Sequence, residues 1–214
     1  MRVIPVIDIR GGVAVHARRG RREEYAPLQP TADPVAVATA LCERCRTTTL
    51  YVADLDAIER GETNDATLRA LAAIADVWLD AGTSEVSGVR RVVGTESLTD
   101  LPAGPVVLSV DLRDGRLISP RPELDGRDST AAAPLARALG VTELLVIDLA
   151  LVGGGAGPPL AAVRALAAAL PGVEIYAGGG VRDDADLRAL ESAGATGALV
   201  ATALHEGRLT LPRS

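Results

Sequence analysis

Leu144-Leu145-Val146-Ile147-Asp148-Leu149 is a short apolar, partly β-branched run. It is followed by Gly153-Gly154-Gly155, an Ala/Leu-rich stretch of helical period over 158–170, and a second run, Val173-Glu174-Ile175-Tyr176-Ala177. Pro171-Gly172 ends the helical stretch, because proline cannot continue a helix and glycine accepts the left-handed turn that closes one. After Gly178-Gly179-Gly180 the pattern repeats, with a helix expected over 183–192 and a strand over 198–201. Acidic residues in the first turn of 183–192 favour the positive end of the helix dipole. Strand, helix, strand, helix, strand is the order that makes parallel strands joined by crossover helices.

The same alternation extends back to the first residues. Strands are expected at 3–8, 50–54, 77–81, 91–93 and 106–111, which with the three above makes eight. Asp33 before Pro34 opens a helix over 33–44, and Asn64 opens one over 64–75. A fourth helix near 97–101 is stunted, and after the last strand only 204–214 remains for a final one. Eight strands predict a single (β/α)8 TIM barrel of α/β class rather than a doubly wound sheet, which has five or six. A length of 214 residues is expected to form one domain, residues 1–214.

Nearly half the residues are apolar, none is Phe, and the core is therefore expected to be aliphatic, with Tyr51 and Trp78 as its aromatic candidates. A net charge of −6 argues against a nucleic-acid partner, whose phosphates demand a basic footprint. The local run Arg18, Arg19, Arg21 and Arg22 reads as a solvated loop or as a holder of an anion. There is no apolar stretch of about 20 residues and no charged leader ahead of the first strand, so a cytoplasmic protein with no membrane partner is expected. Cys42 and Cys45 form a CxxC within the first helix, with no second ligand pair at zinc spacing, and read as structural thiols. No metal and no cofactor are expected.

Two connections stand out. Gly11-Gly12 followed by a long polar stretch makes the segment 11–30 a candidate mobile lid. Asp114-Gly115 signals a small hairpin after the fifth strand.

Barrel active sites lie at the C-terminal ends of the strands. Asp8, Asp54 and Asp111 each end an apolar run, and Asp148 lies near the end of another. Strands one and five are opposed across a closed eight-stranded barrel, so Asp8 and Asp111 would face each other as an acid/base pair. The plainer alternative, that such residues cap helices or bind loop amides, weighs more heavily on Asp54 and Asp148. The run Gly178-Gly179-Gly180 before a helix lets backbone amides approach a phosphate, to which Arg182 could add charge. Half a barrel away, Gly82-Thr83 and Gly94-Thr95 end strands three and four and offer a second phosphate site.

Three stretches carry a family resemblance. They are Ile4-Pro5-Val6-Ile7-Asp8-Ile9 with Gly12 beyond it, Tyr51-Val52-Ala53-Asp54-Leu55-Asp56, and Leu108-Ser109-Val110-Asp111-Leu112-Arg113-Asp114-Gly115. They resemble the barrels that isomerise phosphoribosylformimino-aminoimidazole carboxamide ribotide and the related cyclase subunit of imidazole glycerol phosphate synthase. The resemblance implies acid/base roles for Asp8 and Asp111. It also implies one phosphate at Gly179, Gly180, Ala201 and Thr202, another at Gly82, Gly94 and Thr95, and a phosphorylated small-molecule substrate.

The chain departs from that pattern twice. Val152-Gly153-Gly154 stands where the family has Asp-Gly-Thr, and Asp80-Ala81-Gly82 stands where it has three glycines; Asp80 would repel a phosphate dianion. Val-Gly after strand six and a short chain resemble a divergent branch tied to tetrahydromethanopterin- or methylofuran-linked one-carbon metabolism. The leading expectation is therefore proton-transfer chemistry on a phosphorylated molecule in that branch. The alternatives are the histidine-pathway isomerase, which performs an Amadori rearrangement, and a barrel that binds or assembles without catalysis.

Overall fold

All eight apolar runs become parallel strands in the computed structural model, which describes residues 1–16 and 24–210. The barrel strands are β1 (Arg2–Arg10), β4 (Thr49–Asp54), β5 (Asp76–Asp80), β6 (Arg90–Gly94), β7 (Val107–Arg113), β9 (Glu143–Asp148), β10 (Glu174–Gly178) and β11 (Gly197–Val200). They pair in that order, and β11 pairs back onto β1 from Arg2↔Gly197 to Pro5↔Val200, which closes a (β/α)8 TIM barrel. Three short strands lie outside the ring. β2 (Val13–His16) pairs antiparallel with β1, β3 (Ala26–Pro27) pairs with β2, and β8 (Arg116–Leu117) makes the expected hairpin with β7.

The period of two along each strand sorts the core into two clusters. Tyr51, Trp78, Val92, Val107, Leu145, Tyr176 and Leu199 fill the barrel interior. Their neighbours Leu50, Val52, Val77, Leu79, Leu108, Val110, Leu144, Val146 and Ala198 turn outward and pack under the helices. Trp78 sits in register with Tyr51, but its ring contact is with Tyr176, edge-on at 5.0 Å, a pairing that runs across the interior.

Helices α1 (Pro34–Cys45), α3 (Asp65–Ala72), α5 (Leu160–Ala169) and α6 (Asp184–Ser192) fall where the sequence placed them. Asp33 caps α1 through Val35 N–H at 3.0 Å. Asn64 precedes α3 without capping it; its amide instead bridges Asp54 and Asp56. Helices α2 (Leu55–Arg60) and α4 (Ala133–Leu139) also form, whereas residues 97–101 make only turns, and the last helix among the described residues is the single turn α7 (Thr202–His205). Cys42 and Cys45 lie on α1 as free thiols. Burial raises both, Cys45 to about 11, which suits a structural and unreactive role.

The arginine run 18–22 and the tip of the expected lid fall on residues 17–23, outside the described residues. The flanks of that segment are β2 and β3. No helix among the described residues is long and apolar enough to cross a membrane.

Candidate active site

A cavity opens at the C-terminal ends of the strands, and Asp8, Tyr51, Asp80, Glu96 and Asp111 all line it. Parity explains the grouping. Asp8, Asp80 and Asp111 lie an even number of residues from the inward-facing Ile4, Trp78 and Val107, so their side chains enter the barrel mouth. Asp8 and Asp111 stand on β1 and β7, four strands apart either way round the ring.

Asp111 is buried within a dedicated set of contacts. Its Oδ1 lies 2.6 Å from Ser109 Oγ, its Oδ2 accepts Glu96 N–H at 3.1 Å, and its own N–H donates to Thr95 Oγ1 at 2.9 Å. Gly94 leaves room for the carboxyl group, since a Cβ there would collide with Asp111 Oδ2. Burial pushes the Asp111 carboxyl well above the ordinary range, and the charges of Glu96 and Asp80 push the same way against the Ser109 hydrogen bond. This environment favours the protonated form of Asp111 over the charged one. Next to it, the buried Tyr51 hydroxyl donates to Asp80 Oδ2 at 3.3 Å. Burial and the surrounding carboxyls raise it well above the usual phenol value, so it remains a donor.

On the other side of the mouth lie Gly179, Gly180, Ala201, Thr202 and Arg208. Gly179 and Gly180 have φ of +88° and +80°. Side chains there would strike the carbonyl oxygens of Asp148 and Gly157, so the glycines let this loop sit directly on the loop after β9. Val152 also lines the cavity, at the position where the family resemblance calls for a carboxylate.

Other residues singled out from the sequence are placed elsewhere. Asp54 and Asp148 have outward parity. Asp54 caps α2 through Ala57 N–H and accepts both Asn64 N–H and Asn64 Nδ2. Asp148 accepts the N–H groups of Asp114, Gly115 and Ala150, which ties the β7–β8 turn to the end of β9. The Arg182 guanidinium is paired with Asp186 through two bonds of 2.8 Å. Gly82 gives its N–H to Asp80 Oδ1 at 3.1 Å, Thr95 is fully buried against the Asp111 backbone, and Gly82 and Thr83 line a separate surface cleft. Sequence reading missed Tyr51, Glu96, Arg113 and Arg208 as lining residues. Counting by twos from Trp78 marks Asp80 as facing the mouth, and Tyr51 is the register partner of Trp78 on the neighbouring strand.

The sequence profile described as "Histidine biosynthesis protein" matches residues 2–210. The chain belongs to this family. A relative from Synechococcus sp. (strain CC9605) is 32% identical over 237 residues, covering 99% of this chain and 91% of its own. One from Sorangium cellulosum (strain So ce56) is 34% identical over 246 residues, covering 99% and 96%. Both are named as isomerases of an imidazole-4-carboxamide carrying two phosphoribosyl groups. An uncharacterised protein of Methanocaldococcus jannaschii is 29% identical over 229 residues, covering 99% and 96%. The family places the chain among isomerase-type enzymes. The comparisons lend no support to the one-carbon branch expected from the sequence and favour the histidine-pathway alternative.

Proposed function

We propose that the chain isomerises a phosphorylated aminoaldose-type substrate by acid/base catalysis, as the names of its relatives suggest. Asp111 donates a proton to the sugar ring oxygen as the ring opens. Ring opening leaves an iminium at C1; Asp8 removes the proton from C2, and the enaminol formed gives up its O2 proton as C1 takes one, which yields the aminoketose. The observation that carries this reading is the meeting of Asp8 and Asp111 from opposite strands in one cavity, where burial raises the Asp111 carboxyl. One carboxyl able to give a proton opposite another able to take one is what such a rearrangement requires. Backbone amides around Gly179 and Gly180 and the hydroxyl of Thr202 would hold a phosphate at the far side of the mouth; Arg208, which also lines it, is ion-paired with Glu206 at 2.6 Å.

The opposite end supports a second reading of the substrate. There Asp80 takes the Gly82 amide, while Gly94 and Thr95 serve Asp111. Groups that would hold a second phosphate are thus engaged with carboxyl groups, which favours a substrate bearing one phosphate. The test is to assay the purified protein with the doubly phosphoribosylated substrate of its relatives, beside Asp8→Asn, Asp111→Asn and Val152→Asp. Turnover that falls about 10²–10⁴-fold in the two asparagine variants supports the proposed pair. A gain in Val152→Asp shows that the missing carboxylate limits the reaction. No turnover in wild type or Val152→Asp, with thermal stabilisation by sugar monophosphates only, favours the second reading. No stabilisation by any phosphate compound overturns both.

A further inference from the structure

His16 ends β2, in the hairpin excursion that follows the first barrel strand. It contacts the far end of the chain, with Nε2 lying 3.1 Å from Thr202 Oγ1 across 186 residues of sequence. Thr202 lines the mouth cavity beside Gly179 and Gly180. A threonine hydroxyl has one proton, and its neighbours decide where that proton points. If the imidazole Nε2 donates to Thr202 Oγ1, the hydroxyl proton is left free to donate to a ligand. If Nε2 accepts, that proton is spent on His16 and the hydroxyl offers an anion only lone pairs.

We propose that His16 is a positioning residue for phosphate, donating from Nε2 to Thr202 so that the Thr202 hydroxyl is presented as a donor to an oxyanion held against Gly179 and Gly180. This rests on the phosphate reading of that loop given above. His16 is held to the task by the hairpin itself, being paired with Ala26 of β3 while the preceding residue, Val15, is in register with Asp8 of β1. The residue that aims the hydroxyl is thus on the same excursion as the neighbour of the proposed base. No covalent step is involved; the role is orientation of a hydrogen bond to a charged group, the stronger kind.

Inorganic phosphate is the probe, titrated into the full chain at constant ionic strength and read by calorimetry and by thermal shift. Thr202→Val and His16→Leu should each weaken binding about tenfold, the scale of one lost hydrogen bond to an anion. His16→Leu added to Thr202→Val should weaken it no further, because the two act as a unit. His16→Gln, whose amide reaches the position of Nε2, should restore most of the affinity, while His16→Asn, which reaches only the position of Nδ1, should not. A hairpin that merely lost packing would not distinguish Gln from Asn. Loss on Thr202→Val but none on His16→Leu, or equal affinities for the Gln and Asn variants, overturns the proposal while leaving the phosphate site intact. Failure of the wild-type chain to bind phosphate, or binding indifferent to Thr202→Val, overturns the phosphate site and this proposal with it.

Discussion

Replacing Asp111 by asparagine separates its chemical role from its structural one. The side chain is buried, and both of its contacts are of a kind an amide preserves. Asn Oδ1 would accept the Glu96 N–H now bonded at 3.1 Å, and Asn Nδ2 would donate to Ser109 Oγ, now 2.6 Å away. The variant should fold, and its stability relative to wild type should depend on pH in a defined direction. In the unfolded chain Asp111 loses its proton near its ordinary value of 3.8, whereas burial raises the folded-state value well above that. Between those two values the folded state holds one proton more than the unfolded state, so rising pH destabilises wild type by about 1.4 kcal/mol per pH unit. Asparagine carries no such proton. The stability advantage of Asp111→Asn should therefore be smallest below pH 4, grow at about that slope, and level off once the folded-state value is passed. Urea titrations of both proteins from pH 4 to 9 measure it. Parallel curves across the whole range would refute the upward shift of the Asp111 carboxyl, and with it the proposed proton donor.

Gly94→Ala should expel the Asp111 carboxyl, because the new Cβ collides with Oδ2; turnover should drop with that of Asp111→Asn and stability fall by about 1–3 kcal/mol, measured by denaturant midpoint and rate together. Gly180→Ala combines a φ of +80° with a collision against the Gly157 carbonyl. It should lower Tm by several degrees or more and abolish phosphate binding. Asp148→Ala strips the acceptor from three loop amides and should cost about 1–3 kcal/mol. Its turnover per folded molecule should change little, and a catalytic loss matching that of Asp111→Asn would contradict the structural role given to it.

The barrel was legible because burial on both faces of each strand forces short apolar runs, and closure follows from counting eight of them. The aspartates were half legible. All four end or interrupt such a run, yet Asp8 and Asp111 enter the mouth while Asp54 and Asp148 turn outward to serve loop amides. That distinction lies in the period of two and needs one inward residue as a reference. The β6 loop was less readable. Gly94 and Thr95 looked like a phosphate loop, but glycine there makes space for a carboxyl and threonine fixes its backbone, because the ligand of that loop is Asp111 itself. Nothing in composition or spacing distinguishes a loop that receives an anion from solution from one that receives its neighbour's side chain. His16 carried no local signal, since its partner Thr202 lies nearly the whole chain away.

The pairing of β1 with β11, from Arg2↔Gly197 to Pro5↔Val200, has a consequence for synthesis. Made before the other barrel strands, β1 exposes the Arg2–Pro5 part of one hydrogen-bonding edge until residue 200 has been made, since β2 covers only Asp8–Arg10, and an open edge is a template for unwanted pairing. The ring closes only after β11 has been made, through pairings between strands far apart in sequence, and such long-range contacts are slow to form. A nascent chain halted before β11 would carry Asp8 and Asp111 but no second wall for β1. Quality control should therefore read as incomplete any product shortened by even its last strand, however much of the proposed acid/base pair it already contains.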